Sequence, residues 1–183
     1  MVFICIAAPS CTGKTTFIKH LTSNEKYNAY FRSYFEITEE IKNVIWNNIS
    51  KCRKSQCSVI HTDLTITIKK NKIKKRKNII IEKFSIIICL YTDENTFRKR
   101  ILKRRDVGVF TNFCVRFVWE EFFGHIEKIQ EIKPSIKIYM INCTNKDYKI
   151  EKFNKKKILK KMANCPTFKQ AYKRCKKIMY SKQ

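Results

Sequence analysis

Glycine and proline are scarce in this chain, three of each in 183 residues, and acidic residues are outnumbered, 15 Asp and Glu against 40 Lys and Arg. So little glycine excludes a collagen-like chain, and no heptad pattern runs on to suggest a coiled coil. No apolar run approaches the ~20 residues of a membrane span. The N-terminal run from Val2 to Ala8 is too short and has no basic residue before it, so neither an export signal nor a membrane partner is expected. The nine cysteines are odd in number, contain no CxxC pair and are spread thinly, which excludes a small disulfide scaffold. Reduced thiols in a cytoplasmic compartment fit them best. His20, His61 and His125 are not placed to complete a zinc site with them.

What is present is a 44% hydrophobic chain of single-domain length, with apolar strings such as Val2 to Ala8 and Ile86 to Tyr91 that could not stay solvated. The net charge of +25 raises nucleic acid as a partner. The lysines, however, are spread over every polar segment among many Ile and Asn, as a coding bias would leave them, and a solvated basic surface accounts for much of the excess. Two stretches are the candidates for a polyanion: Lys69 to Lys77, where only Asn71 and Ile73 are uncharged, and the tail after Lys149.

Periodicity lays out strands and helices in alternation. Val2 to Ala8 reads as a buried strand, followed by a turn and an apolar-periodic helix from Lys14 to about Leu21. Ala29 to Phe35 is β-prone, and a helix pattern from Thr38 to Lys51 follows, with Ile41, Val44, Ile45 and Ile49 on one side. Ser58 to Ile60 and Leu64 to Ile68 read as strands, with the lysine-rich segment as a surface loop. Asn78 to Glu82 and Ile86 to Tyr91 are β-branched runs, and Thr92-Asp93 can cap a helix carrying Phe97, Ile101 and Leu102. Helix then covers about Asn112 to Glu131, Pro134 stops it, and Ile136 to Ile141 forms the last strand. Ile158 to Met162 and Phe168 to Met179 suggest terminal helices. The expectation is an α/β domain over 1–163, a mostly parallel sheet flanked by helices, with a basic helical tail over 164–183. In such sheets ligands bind beyond the carboxyl ends of the strands, which directs attention to the loops after Ala8, Glu82 and Tyr91.

After the first strand comes Ala8-Pro9-Ser10-Cys11-Thr12-Gly13-Lys14-Thr15-Thr16, a phosphate-loop pattern with Ala8 in place of the usual first glycine. Gly13 lets the backbone approach phosphate, and the amides of the helix start point at the anion. Ser10, Cys11, Thr12, Gly13, Lys14, Thr15 and Thr16 are the candidate nucleotide-binding residues, with Lys14 on the outer phosphates and the Thr15 hydroxyl on Mg²⁺. Ala8 loses turn freedom but need not clash at negative φ. Glu82 ends a hydrophobic strand in a carboxylate, the arrangement that places an acid beside a phosphate loop to hold Mg²⁺. Arg98, Arg100, Arg104 and Arg105 cluster on the helix after the next strand, and Arg100 and Arg104 share a face. An ordinary basic helix face would look the same.

In this order the segments resemble the uridine-kinase-like nucleoside kinases, and within them the nicotinamide riboside kinases. The resemblance runs over about residues 2 to 160, through the loop Ala8 to Thr16, the segment Ser58 to Asp63, the strand Ile79 to Phe84, the basic helix Phe97 to Arg105, and Val118-Trp119 with Ile126 to Ile132 before the strand Lys137 to Asn142. It implies a three-layer P-loop kinase fold with a helical lid and ATP-dependent phosphorylation of a ribonucleoside 5′-hydroxyl, nicotinamide riboside before uridine or cytidine. It also implies ATP and Mg²⁺ at Lys14, Thr15 and Glu82, with Arg100 and Arg104 in the lid. Two departures stand out. Lys83 replaces a glycine, and Arg32-Ser33-Tyr34-Phe35-Glu36 replaces the segment that holds the family's catalytic Asp, leaving Glu36 as the nearest candidate base. A nucleotide-binding protein with weak or no turnover, and a nucleic-acid-associated ATPase, are the competing expectations.

Overall fold

The apolar run at the N-terminus forms the centre of the sheet. In the computed structural model, which describes residues 3–42, 44–46, 58–62, 68–69, 72–73, 84–103 and 115–160, it is strand β1 (Phe3–Ala7). It is followed by helices α1 (Lys14–Ser23) and α2 (Glu25–Tyr34) and strands β2 (Ile45–Trp46) and β3 (Ser58–Thr62). The short strands β4 (Ile68–Lys69) and β5 (Lys72–Ile73) come next. Then come β6 (Ile86–Tyr91), α3 (Glu94–Lys103), α4 (Val115–Ile132), β7 (Lys137–Asn142), β8 (Ile150–Lys152) and α5 (Lys155–Lys160).

The main sheet has the order β2-β3-β1-β6-β7-β8. All neighbours are parallel except the last pair, β7 with β8. Both edges of β1 are filled, by Ser58–Thr62 on one side and by Ile86–Cys89 on the other. The run 78–82, expected as a strand, lies outside the described residues.

Alternation along β1 splits the apolar side chains between two cores. Cys5 and Ala7 join Ile87, Cys89 and Tyr91 under Phe97, Ile101, Trp119, Phe123 and Ile126 of α3 and α4. Ile4 and Ile6 join Ile86, Ile88 and Leu90 under Phe17 and Leu21 of α1 and Phe31 of α2. Burial on both faces explains why these strands read as unbroken apolar runs. Each fully buried Ile contributes about 1.5–3 kcal/mol.

Several expectations change. Ala29 to Phe35 is helical through Tyr34, because Asn24 caps α2 by accepting from the Tyr27 nitrogen at 2.9 Å. The spacing of Tyr27, Phe31 and Phe35 then gives the helix its buried side, overriding the β preference of the aromatics. Residues 38–42 and 44 are not helical, and Ile45–Trp46 pairs in parallel with Ile60–His61. Asn28 pins this stretch by donating to both the Leu21 and Ile41 carbonyls, at 3.0 and 2.9 Å. Within the lysine-rich stretch, β4 and β5 form an antiparallel pair. Strand β8 is an addition, and Leu64 to Thr67, Phe168 to Met179 and the tail over 164–183 lie outside the described residues. The helix expected as a lid is, over 94–103, a sheet-covering helix with Phe97 and Ile101 buried.

Asp93 begins α3. Its carboxylate accepts from the Thr96 nitrogen at 2.9 Å and the Thr96 hydroxyl at 2.7 Å. Burial raises the Asp93 carboxyl, but hydrogen bonds from Thr96 and Thr144 outweigh it and hold the group below its usual 3.8. A lowered native value means stability that is complete above the unfolded value and is lost as the pH falls through the native one. Asp93→Ala should cost about 1 kcal/mol in urea unfolding at pH 7. That difference should narrow in the same measurement below pH 3.8.

Candidate functional site

The carboxyl end of β1 delivers the chain into the loop 8–13. Ala8 is fully buried against the core beneath the loop. It is not among the residues at positive φ, so its Cβ is accommodated where a glycine was expected. Thr12 closes the turn, its hydroxyl donating to the Pro9 carbonyl at 2.7 Å. Cys11 is left-handed at φ 68° and Gly13 at φ 108°, ψ 21°. Gly13 is the N-cap of α1, with no side-chain cap and no acidic residue in the first turn. The positive end of the helix dipole is therefore not balanced by a side chain of its own. Ser10, Thr15 and Thr16 are exposed around this end.

Two cations close on the loop from opposite directions. Lys14 is only 8% exposed, and its Nζ donates back to the Ala8 carbonyl at 2.7 Å and the Pro9 carbonyl at 3.4 Å. On the other side the Arg100 guanidinium donates through Nη1 to the Thr12 carbonyl and through Nη2 to the Cys143 carbonyl at 3.0 Å. A Cβ built on Gly13 would stand 2.8 Å from Arg100 Nη1. Gly13 is favoured by its backbone angle, and a Cβ there would also make the guanidinium shift. Arg100, expected in a lid, instead ties the loop to the chain leaving β7. Arg98 is paired with Glu94 at 2.8 Å within α3.

The ends of β6 and β7 meet beside this tether. The Cys143 nitrogen donates to the Tyr91 carbonyl at 2.7 Å, the Asp93 nitrogen to the Thr144 hydroxyl at 3.0 Å, and the Thr92 and Thr144 hydroxyls are 3.2 Å apart. The turn after Asn142 was not anticipated from the sequence, because Cys143 takes part through its carbonyl, which any residue carries. Burial pushes the Cys5 thiol up to about 12 against the opposing effect of Lys14, and the Cys143 thiol up to about 12 against that of Arg100. Burial also raises Cys89. These thiols stay protonated near neutrality and are not nucleophiles.

Glu36 sits at the end of a helix. It is exposed at φ 54°, immediately after α2. Its nitrogen donates to the Ser33 carbonyl at 3.4 Å and the Ile37 nitrogen donates to the Arg32 carbonyl at 2.9 Å. That pair of bonds is a Schellman motif with Glu36 at the C′ position, where glycine is usual. The neighbouring Phe35 ring packs 5.1 Å from the Tyr139 ring. Tyr139 is two strands from β1, roughly 10 Å across the sheet, and in register with Ile6 near the end of β1. Glu36 therefore finishes a helix through its backbone. Glu82, Arg104 and Asp63, the residue that follows β3, lie outside the described residues. Trp119 is fully buried against Phe97, Phe122 and Phe123.

No family model matches this sequence, and neither does any of the curated proteins. Among the described residues no group of three His, Cys, Asp or Glu could hold a metal ion, and no helix is long and apolar enough to cross a membrane.

Two substitutions read these backbone positions directly. Gly13→Ala should lose about 1–2 kcal/mol in denaturant unfolding. Arg100→Ala should relieve part of that loss, because it removes the atom the methyl meets. Glu36→Gly should instead raise stability by roughly 0.5–1 kcal/mol.

Proposed function

We propose that this chain is a P-loop nucleoside kinase, transferring a phosphoryl group from ATP to a ribonucleoside 5′-hydroxyl, with nicotinamide riboside preferred to uridine or cytidine. The observation that carries the reading is the loop after β1. It combines a left-handed glycine, an uncapped helix start and a largely buried lysine whose ammonium already turns onto the loop carbonyls. Such an ammonium has oxygen partners at hand where phosphate oxygens would serve it better. A central β1 flanked by parallel strands supports the same fold family, since its loop emerges in the crevice where doubly wound sheets take nucleotides.

The residues present fit that cofactor. Lys14 and the amides at the start of α1 would hold the phosphates of ATP, and the Thr15 hydroxyl would hold Mg²⁺. Bound ATP supplies the phosphoryl group. Arg100 acts on position: a planar trans peptide sets its C=O and N–H on opposite sides, so fixing the Thr12 carbonyl toward Arg100 turns the Gly13 N–H the other way. The charges of Lys14 and Arg100 also suit a transfer in which negative charge spreads over the moving oxygens.

Nucleotide binding without turnover is the second reading, and the place of Glu36 favours it. The residue nearest in sequence to the family's base closes α2 through its backbone. Phosphoryl transfer relies mainly on positioning and electrostatics, yet a general base commonly contributes ~10²–10⁴ in rate.

The deciding assay is ADP release from purified protein with Mg-ATP and each of the three nucleosides. ADP formation that requires one nucleoside, and falls at least ~10²-fold in Lys14→Ala, is the expected result. Mg-ATP binding by calorimetry without ADP formation selects the second reading. Absence of binding heat from folded protein removes both.

A further inference from the structure

A second feature of the surface is independent of the phosphate loop. Along α2, Tyr27, Tyr30 and Tyr34 follow i, i+3, i+7 spacing and share one side of the helix. Their rings form a continuous row, with centroids 5.7 Å apart between Tyr27 and Tyr30 and 6.2 Å between Tyr30 and Tyr34. His20 extends the row at one end, 5.0 Å from Tyr27, and Tyr139 extends it at the other, 5.7 Å from Tyr34. Tyr27 is the fixed member, because its hydroxyl donates to the Tyr148 carbonyl at 2.7 Å. Tyr30 and Tyr34, at 43% and 42% exposed, are two of the three large apolar side chains exposed among the described residues.

Basic side chains flank this row. At the His20 end an open cleft of about 450 Å³ is lined by His20, Tyr27 and Tyr30 with Lys26 and Lys149, and also by Asp147. At the other end Lys152 is the β8 partner of Tyr139, so the two side chains share a face of the sheet. Lys137, two residues before Tyr139 on β7, shares that face as well. Lys26, Lys137, Lys149 and Lys152 are all exposed.

We infer that this row is a binding surface for single-stranded nucleic acid, with Tyr30 and Tyr34 as stacking platforms and the flanking lysines as phosphate contacts. Exposed rings offer π-faces on which any base can stack, and a cationic border follows the backbone. The chain's 40 basic against 15 acidic residues gives the long-range field that such a polyanion requires. An apolar or proline-rich peptide would use the rings but not that charge. A duplex would use the charge but not the rings, since its bases are already stacked.

The test is fluorescence anisotropy of a labelled 20-mer of deoxythymidine titrated with the full chain at several salt concentrations. The expected result is salt-dependent binding that weakens about tenfold or more in Tyr30→Ala/Tyr34→Ala and is retained in Tyr30→Phe/Tyr34→Phe. Both side chains are exposed, so the melting temperature should hardly change, and Mg-nucleotide binding at the loop should be kept. Lys26→Gln/Lys149→Gln reads the same surface without touching a ring and should lower the log–log salt slope by about 1.4. The inference is overturned if the 20-mer does not bind, if the alanine pair binds it as the parent does, or if a duplex of equal length binds as tightly as the single strand.

Discussion

The pairing of β1 on both of its edges is the constraint from which the rest follows. Every backbone group of that strand is drawn toward a parallel neighbour, and its side chains alternate into two separate cores. A strand held this way cannot shift by one residue without sending Ile4 and Ile6 to the face that Cys5 and Ala7 fill. The point at which the chain leaves the sheet is therefore fixed. Because the neighbouring strands run the same way, the turns after Ala7, Tyr91 and Asn142 gather at one end. That gathering lets Arg100 reach the Thr12 and Cys143 carbonyls together.

The loop owes its shape to cations meeting carbonyls. Lys14 gathers the carbonyls of Ala8 and Pro9 and Arg100 takes that of Thr12, so oxygens that would repel an anion are each turned toward a positive group. At the helix start the Gly13 N–H is turned away from Arg100, and free helix-start amides favour negative charge. Gly13 is the joint of this arrangement, since any side chain there would meet Arg100.

Much of this could be read from the chain alone. Strands buried on both faces announce themselves as apolar runs, which is why β1, β6 and β7 fell where periodicity put them, and Pro134 and Asp93 marked their boundaries through local chemistry. The loop residues were evident because GKTT after a buried strand is a local pattern. The described part of 29–46 was not, for its outcome depends on distant partners. Tyr and Phe suit strands and helices alike, and only the Asn24 cap and packing onto Phe17 and Tyr139 decide for helix. The helix end at Glu36 was hidden for the same reason: proximity in sequence to a family position says nothing of a helix that ends there. The tether at Cys143 was invisible because it runs through a backbone carbonyl.

The margins of the sheet have their own consequence. Among the described residues the rim beyond β7 is the three-residue β8, whose Glu151 and Lys152 put a charge on each face beyond Ile150. A short, charged rim offers another chain little ladder to extend. A polypeptide so rich in isoleucine, whose inner strands would template a fibril if laid open, is by that arrangement shielded at this rim in its native form.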